Sequence, residues 1–227
     1  VLPSLPSEKV EEKDRQHWEW AMNHARAEEA GPIYIGYFSG SITHNDDFAI
    51  LLPVLASIME SRRDVRLKVV GELDIPKELE AYADRTETVG FCDWQQLPSL
   101  IASVDINIAP LRVTVFNEAK SENKWVEASL VKVPTVASNV GAFAHMIENG
   151  VTGLLCDTNE DWQRALLSLV DDQPLRKRIA NAAHEFCLEE CTTVMTGQRL
   201  ARYLRSVMSP NVFMLLPSLN TSGGILA

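Results

Sequence analysis

An α/β fold, with a parallel sheet and helices on both faces, is predicted by two features of the sequence. Short apolar runs alternate along the chain with longer segments in which apolar residues recur every three or four positions. The first pattern is typical of buried strands and the second of helices. Strands that alternate with helices form βαβ units, which place the strands in parallel. A composition of 46% hydrophobic and 23% charged residues suits such a folded domain.

The first half of this pattern opens on the apolar run 33–38, which leads into Ser39-Gly40-Ser41. Residues 47–60 follow with helical apolar spacing, and Gly71 stops the next apolar run. The predicted elements of this half are strand 33–38, helix 47–60, strand 67–71, helix 76–83, strand 88–89 and helix 94–103.

In the second half, Pro110 ends a buried apolar run and Gly150 follows a short helical segment. The predicted elements are strand 105–110, helix 120–131, strand 134–138, helix 142–148, strand 153–156, and helices 160–170, 174–188 and 192–207. This order predicts a Rossmann-like sheet, whose ligands bind beyond the carboxyl ends of the strands. Functional residues are therefore expected in the loops 39–46, 71–75, 91–94, 110–124 and 138–143.

Three regions are predicted along the chain. Residues 1–30 are interpreted as a helical linker or the end of a preceding domain, because 8–29 carry a narrow apolar stripe among charged residues. Residues 31–207 form the Rossmann-like domain. Residues 208–227 are interpreted as the stub of a following module, since a new apolar run at 211–216 leads into Gly223-Gly224. The alternative is that 211–216 completes the sheet of this domain.

Charge and composition narrow the classes of partner. The net charge is −10, which disfavours nucleic acid and anionic membranes as general partners. No apolar run approaches the roughly 18–20 residues that span a bilayer. The four cysteines are too few and too scattered for a disulfide framework, so a cytoplasmic location is expected. Cys187, Cys191 and His184 share a helix face, but a metal is not expected because a fourth ligand is missing nearby.

The motif that points to chemistry is Lys-Ser-x-x-Lys-x-x-Glu at 120–127. Lys120, Lys124 and Glu127 are predicted to share one face of the helix 120–131. That helix begins at the ligand-binding edge of the sheet, where free backbone N–H groups and the helix dipole favour a phosphate. Ser121 can cap the helix or donate to a phosphate oxygen, and a carboxylate at Glu127 can accept both hydroxyls of a ribose. The alternative is an ordinary solvated helix face on which Glu127 pairs with Lys124.

Other polar and aromatic residues near these loops also have two interpretations. His44 can donate to a phosphate or sugar, or it can cap its loop. Asp46-Asp47 is interpreted as an acidic pair at a helix N-terminus, in preference to a metal or catalytic pair. Trp94 is expected to be a packing residue, although it can also stack on a base.

Six segments together resemble the C-terminal domain of retaining, group-1-type GT-B glycosyltransferases. The resemblance extends from residue 35 to about residue 204, roughly three quarters of the chain, and the segments occur in the family's order: 36–48, 67–71, 104–111, 120–127, 133–138 and 147–155. The resemblance implies one half of a GT-B fold. It also implies a nucleoside-diphosphate-sugar donor, an acceptor glycan bound by an N-terminal domain, and no cofactor or required metal. Transfer of a glycosyl group to a hydroxyl acceptor is expected only when the two domains are paired, with possible peripheral membrane association of the full protein.

The resemblance also implies roles for individual residues. Glu127 is similar to the glutamate that binds the donor ribose, and Lys124 and Ser121 look like diphosphate contacts, with Lys120 nearby. The turn at 116–118 resembles the one that approaches the donor sugar. The residues predicted to be catalytic are Glu118 in this turn and Lys124, which looks like a diphosphate contact. The predicted donor-binding residues are Gly40, Ser41, His44, Asn117, Lys120, Ser121, Lys124 and Glu127.

The chain departs from the family pattern at two places. Asp46 stands where many relatives have a first-loop lysine, and Ala119 stands where they have a second glutamate; Glu118 is one residue out of step. These departures leave a non-catalytic nucleotide-sugar-binding or scaffold module as an alternative. A GT-B epimerase or phosphorylase, which uses the same half-site, is a further one.

Overall fold

A computed structural model describes residues 16, 18–23, 31–40 and 45–207. Its strands are β1 (Ile33–Ser39), β2 (Val65–Gly71), β3 (Thr86–Val89), β4 (Ile106–Ala109), β5 (Thr135–Ser138) and β6 (Leu154–Cys156). All neighbouring strands pair in parallel, in the order β3-β2-β1-β4-β5-β6. This is the doubly wound order of a Rossmann sheet: successive strands are added on one side of β1 up to β3 and on the other side from β4 onward, so the strand order reverses between β1 and β4. The predicted fold class is confirmed.

Nine α-helices follow β1 in the described part of the chain. They are α1 (Asn45–Ala49), α2 (Leu52–Ser61), α3 (Leu97–Ala102), α4 (Val115–Glu118), α5 (Asn123–Leu130), α6 (Gly141–Met146), α7 (Asn159–Asp171), α8 (Gln173–Glu190) and α9 (Thr193–Val207). Two 3₁₀ helices, Lys77–Arg85 and Trp94–Gln96, complete the connections. The predicted helix at 76–83 is therefore of the tighter type.

Two predicted helices differ from the structure. The helix predicted at 47–60 is two helices, α1 and α2, because Pro53 lacks an N–H and occupies the first turn of α2. The helix predicted at 120–131 begins at Asn123, so the expectation that Lys120 lies on it is wrong. The N–H of Lys120 still donates to the carbonyl of Asn117, which keeps that residue in the turn that ends α4.

The core lies on both faces of the sheet, because successive side chains of a strand point to opposite faces. Ile35 and Tyr37 of β1 pack with α2 and α7, whereas Phe38 packs with α3 and α5 on the other face. A third cluster joins the end of β4 to α5, α6 and α8 around the buried ring of Trp125. Helix α5 is thus held between the sheet and α8.

The predicted domain limits remain predictions. In the N-terminal region, residues 18–23 are helical, and Trp18 and Ala21 pack into the cluster that contains Phe38. The tail 208–227, including the predicted strand 211–216, lies outside the described residues, as do Ser41 and His44. Among the described helices none is long and apolar enough to cross a bilayer.

Gly71 allows β2 to end directly beside β1. Its φ angle is +99°, which side-chain-bearing residues rarely adopt, and a Cβ atom there would lie 1.8 Å from the carbonyl oxygen of Ser39. Ser39 is the residue paired with Gly71 in the sheet register. The carboxyl ends of the two strands therefore meet without side-chain bulk between them.

We expect Gly71→Ala to lower the free energy of unfolding by about 2–4 kcal/mol, because it adds left-handed backbone strain to a steric overlap. Gly90→Ala is the matched control, since a Cβ at Gly90 meets nothing within 4 Å. That control should change stability by no more than about 0.5 kcal/mol. Urea unfolding of both variants checks this, and equal stabilities would contradict it.

Candidate functional site

A cavity of about 480 Å³ opens at the carboxyl ends of β1 and β2. Ser39 and Gly71, the last residues of the two strands, form part of its wall, together with the following Gly40. Lys120, Ser121, Lys124 and Glu127 line it from the α5 side. The cavity therefore occupies the edge where a doubly wound sheet binds its ligands.

Helix α5 is fixed in place by hydrogen bonds to β4 and to the turn before β6. The buried side chain of Asn107 on β4 donates from Nδ2 to the carbonyl of Lys124 at 3.1 Å and to Oγ1 of Thr135 at 3.0 Å. The indole Nε1 of Trp125 donates to the carbonyl of Thr152 at 2.8 Å. Asn107 and Trp125 are not lining residues of the cavity, so the anchoring of α5 does not depend on the side chains that line it.

Lys124 brings a buried cation to the cavity. Its Nζ is shielded from solvent and has no hydrogen-bond partner in the described structure. The ammonium lies 4.6 Å from the ring centroid of Tyr37, close enough for a cation–π contact. Burial lowers the pKa of Lys124 to about 8, although the nearby Glu127 opposes part of this shift. An anion that enters the cavity would supply the partner that this ammonium lacks.

Glu127 lies one turn further along α5 and is only 7% exposed. Burial raises the pKa of its carboxyl group to about 7, and the charge of Lys124 opposes part of that rise. The buried Lys124 and Glu127 rule out the alternative of a solvated helix face. Near neutral pH, Glu127 can therefore either accept hydrogen bonds as a carboxylate or hold a proton.

Lys120 differs from Lys124 in having a strong ionic partner. Its Nζ lies 2.9 Å from Oδ2 of Asp47, and its ammonium is 5.3 Å from the ring centroid of Phe116. The side chain is 19% exposed and lines the cavity. The two lysines of the motif thus reach the same cavity, one already paired and one not.

Asn117 and Glu118 serve the loop between β4 and α5 in the described structure. The amide of Asn117 donates to Oδ1 of Asp47 at 2.8 Å and to the carbonyl of Arg112 at 2.8 Å. The carboxylate of Glu118 accepts the N–H of Gly141, the first residue of α6, at 3.1 Å. Neither residue is part of the cavity wall, so their predicted roles toward the donor remain predictions.

The remaining sequence-predicted residues divide into two groups. Gly40 and Ser121 line the cavity, as predicted positions near a ligand should. Ser121 does not cap α5, because the helix is preceded by Glu122. Ser41 and His44 fall in the undescribed stretch that directly follows Gly40.

An apolar rim, which we define as Phe91, Trp94 and Leu97, borders the cavity on the β3 side. Phe91 and Trp94 are exposed, so the expectation that Trp94 is a packing residue is wrong. Exposed aromatic faces next to a cationic cavity suit a ligand that joins a planar ring to an anion.

Asp47 is the residue of this region that the sequence interpretation missed. The pair Asp46-Asp47 was expected to act only on the helix dipole, but the structure separates the two side chains. Asp46 is exposed and pairs with Arg112 at 2.8 Å, whereas Asp47 is buried beneath Lys120. One signal was available in the sequence: Asp47 is four residues before Leu51, on the inward side of the apolar pattern.

Cys187, Cys191 and His184 are not part of the cavity wall. His184 Nδ1 is 3.0 Å from the carbonyl of Ser129, and Cys187 and Cys191 are free thiols in the cluster around Trp125. Among the described residues, no group of three or more His, Cys, Asp or Glu side chains is arranged to hold a metal ion.

Comparison with known proteins identifies the class. The family model described as "Glycosyl transferases group 1" matches residues 34–172, which is more than half of the chain. The chain belongs to this family. It is 22% identical over 178 residues to the alpha-D-kanosaminyltransferase of Streptomyces kanamyceticus, covering 75% of this chain and 45% of that protein. The chain thus spans less than half the length of this relative.

Solved structures show the same fold. Anabaena HepE, crystallised with UDP and glucose, superimposes with a TM-score of 0.62 at 21% identity, over 89% of this chain and 53% of HepE. The C-terminal domain of LpcC, a group 1 family glycosyl transferase of Francisella tularensis, gives a TM-score of 0.54 at 18% identity. That match covers 78% of this chain and 92% of the LpcC domain. The similarity to LpcC agrees with the resemblance to a C-terminal domain.

The two cavity lysines should have opposite effects on stability. At pH 7 the Lys124 ammonium destabilises the fold, because burial lowers its pKa to about 8 and the charged form still predominates. Lys124→Met should therefore raise the free energy of unfolding at pH 7 by about 1 kcal/mol. Lys120→Met should lower it by about 1–3 kcal/mol, because it leaves the buried Asp47 without its ammonium partner.

Urea unfolding at pH 7 measures both changes. The Lys124 penalty is complete below pH 8 and disappears as pH rises towards the ordinary lysine value of about 10.4, so the advantage of Lys124→Met should shrink in that window. A destabilised Lys124→Met protein would contradict the assignment of a desolvated cation without a partner.

Proposed function

We propose that this chain is the donor-binding domain of a nucleotide-sugar-dependent glycosyltransferase. The observation that carries the proposal is Lys124 in the first turn of α5: the residue lines the cavity, and its buried ammonium has no hydrogen-bond partner in the described structure. A diphosphate there would meet this ammonium, the N–H groups that begin α5, and Lys120. The presence of UDP and glucose in the HepE crystal structure supports a nucleoside diphosphate sugar as the ligand.

The rest of the ligand fits the remaining surfaces of the cavity. The ribose hydroxyls would donate to Glu127, and the base would lie against the apolar rim of Phe91, Trp94 and Leu97. In the reaction, the nucleoside diphosphate leaves the anomeric carbon as an acceptor hydroxyl attacks. Lys124 and Lys120 would neutralise the charge that develops on the leaving diphosphate.

The remaining features of the activity are part of the same proposal. We propose retention of configuration at the anomeric carbon, a glycan or other hydroxyl acceptor bound by an N-terminal domain, and a cytoplasmic location. We also propose that the full protein associates peripherally with a membrane. Transfer would then require both domains, since GT-B chemistry takes place in the cleft between them, and the 227-residue chain alone would be inactive.

A non-catalytic nucleotide-sugar-binding module is the second candidate, and one observation favours it. Asp47 already compensates the charge of Lys120, which leaves less free positive charge for a leaving diphosphate. Hydrolysis or transfer of a nucleotide sugar by the full-length protein separates the two candidates. A full-length protein that binds donor but turns none over would support the second.

Calorimetry with nucleotides tests the proposed ligand class. We expect one of UDP, GDP or ADP to bind at least tenfold more tightly than its monophosphate, because the distal phosphate reaches the buried ammonium. Lys124→Met should remove this preference. Equal affinities for the diphosphate and the monophosphate in the wild-type protein would count against a diphosphate site.

The role of Glu127 is tested by the pH dependence of ribose recognition. At pH 8 the carboxylate is ionised, and the diphosphate should bind about 10–100-fold more tightly than its 2′,3′-dideoxy analogue. Below pH 7, Glu127 must lose a proton before it can accept both hydroxyls, so this preference should fall by up to tenfold per pH unit. Because both ligands carry the same phosphates, their own titration cancels in the ratio.

Glu127→Gln is the control for that measurement. Its ribose preference should be small and independent of pH, because glutamine does not titrate. A wild-type ratio that stays constant between pH 5.5 and pH 8 would assign Glu127 a structural role.

A further inference from the structure

The buried carboxylate of Asp47 links α1 to the segment between β4 and α5, which includes the cavity residue Lys120. Asp47 lies on α1, directly after the loop that follows β1, and is 3% exposed. Among the described residues, three groups of the segment 112–120, between β4 and α5, donate to it. They are the N–H of Arg112 at 3.0 Å, the amide of Asn117 at 2.8 Å and the ammonium of Lys120 at 2.9 Å.

The two oxygens of this carboxylate have different partners. Oδ1 accepts from Arg112 and Asn117, and so holds the shape of the loop that contains α4. Oδ2 accepts from Lys120, whose side chain lines the cavity. One oxygen thus supports the loop, and the other fixes the direction of a lysine that reaches the ligand space.

Asp47 remains ionised, as this arrangement requires. Burial raises the pKa of Asp47, but hydrogen bonds from Arg112, Lys120 and Asn117 outweigh it and keep the pKa below its ordinary value. At neutral pH the group is therefore a carboxylate that can hold an ammonium.

We propose that Asp47 is a positioning residue that holds Lys120 toward the diphosphate end of the cavity. The proposal rests on the proposed function, because it assigns Lys120 to a diphosphate. A free lysine side chain has many rotamers, and part of that freedom must be lost when it binds a phosphate. Asp47 imposes that order before the ligand arrives, which lowers the cost of binding.

A single substitution cannot measure this effect cleanly. The charge of Asp47 also repels a phosphate, so removing it has two opposed consequences for affinity. What the proposal requires is that the contribution of Lys120 to binding depends on Asp47. A double-mutant cycle isolates that dependence.

The cycle uses Asp47→Asn and Lys120→Met in this chain, with UDP affinity measured by calorimetry. Asparagine keeps an oxygen for Arg112 and Asn117 but replaces the acceptor of Lys120 by an amino group. We expect Lys120→Met to weaken UDP binding about tenfold in the wild-type background and less than twofold in the Asp47→Asn background. Equal losses in both backgrounds would overturn the proposal.

Asp46→Asn is the matched control. Asp46 lies on the same helix and bonds the same loop, but through the exposed guanidinium of Arg112. In the Asp46→Asn background, Lys120→Met should still cost about tenfold in affinity. If the Asp46 cycle showed the same coupling, the effect would belong to the loop as a whole and the specific role of Asp47 would be refuted.

Two further results keep the test decisive. Should Asp47→Asn fail to fold, Lys120→Arg replaces it: the charge is kept but its position changes, so UDP binding should weaken three- to tenfold. Unchanged affinity would show that position is unimportant. If the wild-type chain binds none of UDP, GDP and ADP, the proposed function itself fails, whereas wild-type binding with an additive cycle refutes only the role of Asp47.

Discussion

The desolvated ammonium of Lys124 is the group on which the chemistry of the cavity depends. A buried cation without a hydrogen-bond acceptor destabilises a fold, and contact with the Tyr37 ring and attraction to Glu127 offset only part of that cost. Hydrogen bonds of Asn107 on β4 and of the Trp125 indole hold α5 in position, and with it the buried Lys124 ammonium. In the proposed function, an anion that enters the cavity would recover the energy that the free protein loses at Lys124, and the site would therefore favour anions.

Lys120, the first lysine of the motif, has a different environment. Lys120 lies before the first residue of α5, and its side chain is partly exposed. Its charge is balanced by Asp47. An exposed, unbalanced lysine would be flexible and screened by salt, whereas a paired one is ordered. Lys124 thus has a desolvated charge without a hydrogen-bond partner in the described structure, whereas the charge of Lys120 is oriented by Asp47. The same residue type has two roles because the surrounding elements differ.

The sequence predicted the fold well and the cavity only in part. Alternation of apolar runs with helical segments is a local signal, so all six strands and most helices were predicted correctly. The start of α5 was wrong because the four-residue helix α4, capped by Thr114, is too short to show a period. The burial of the Lys124 ammonium could not be predicted either, since it involves the ring of Tyr37, which is distant in sequence. The spacing along 120–127 predicts which side chains share a helix face, but it does not predict whether that face is exposed to solvent or buried.

The acidic composition of the chain is compatible with an anion site because the two act over different distances. A net charge of −10 is spread over the surface, where salt screens interactions beyond about 8 Å at physiological ionic strength. The Lys124 ammonium acts at contact distance in a cavity of low polarity, where screening is weak. A long polyanion such as a nucleic acid would have to cross the negative surface over many residues. A small anion with an aromatic ring would meet only the cavity, so the proposed binding would depend on the local arrangement of Lys124, Lys120 and the apolar rim, and not on the average charge.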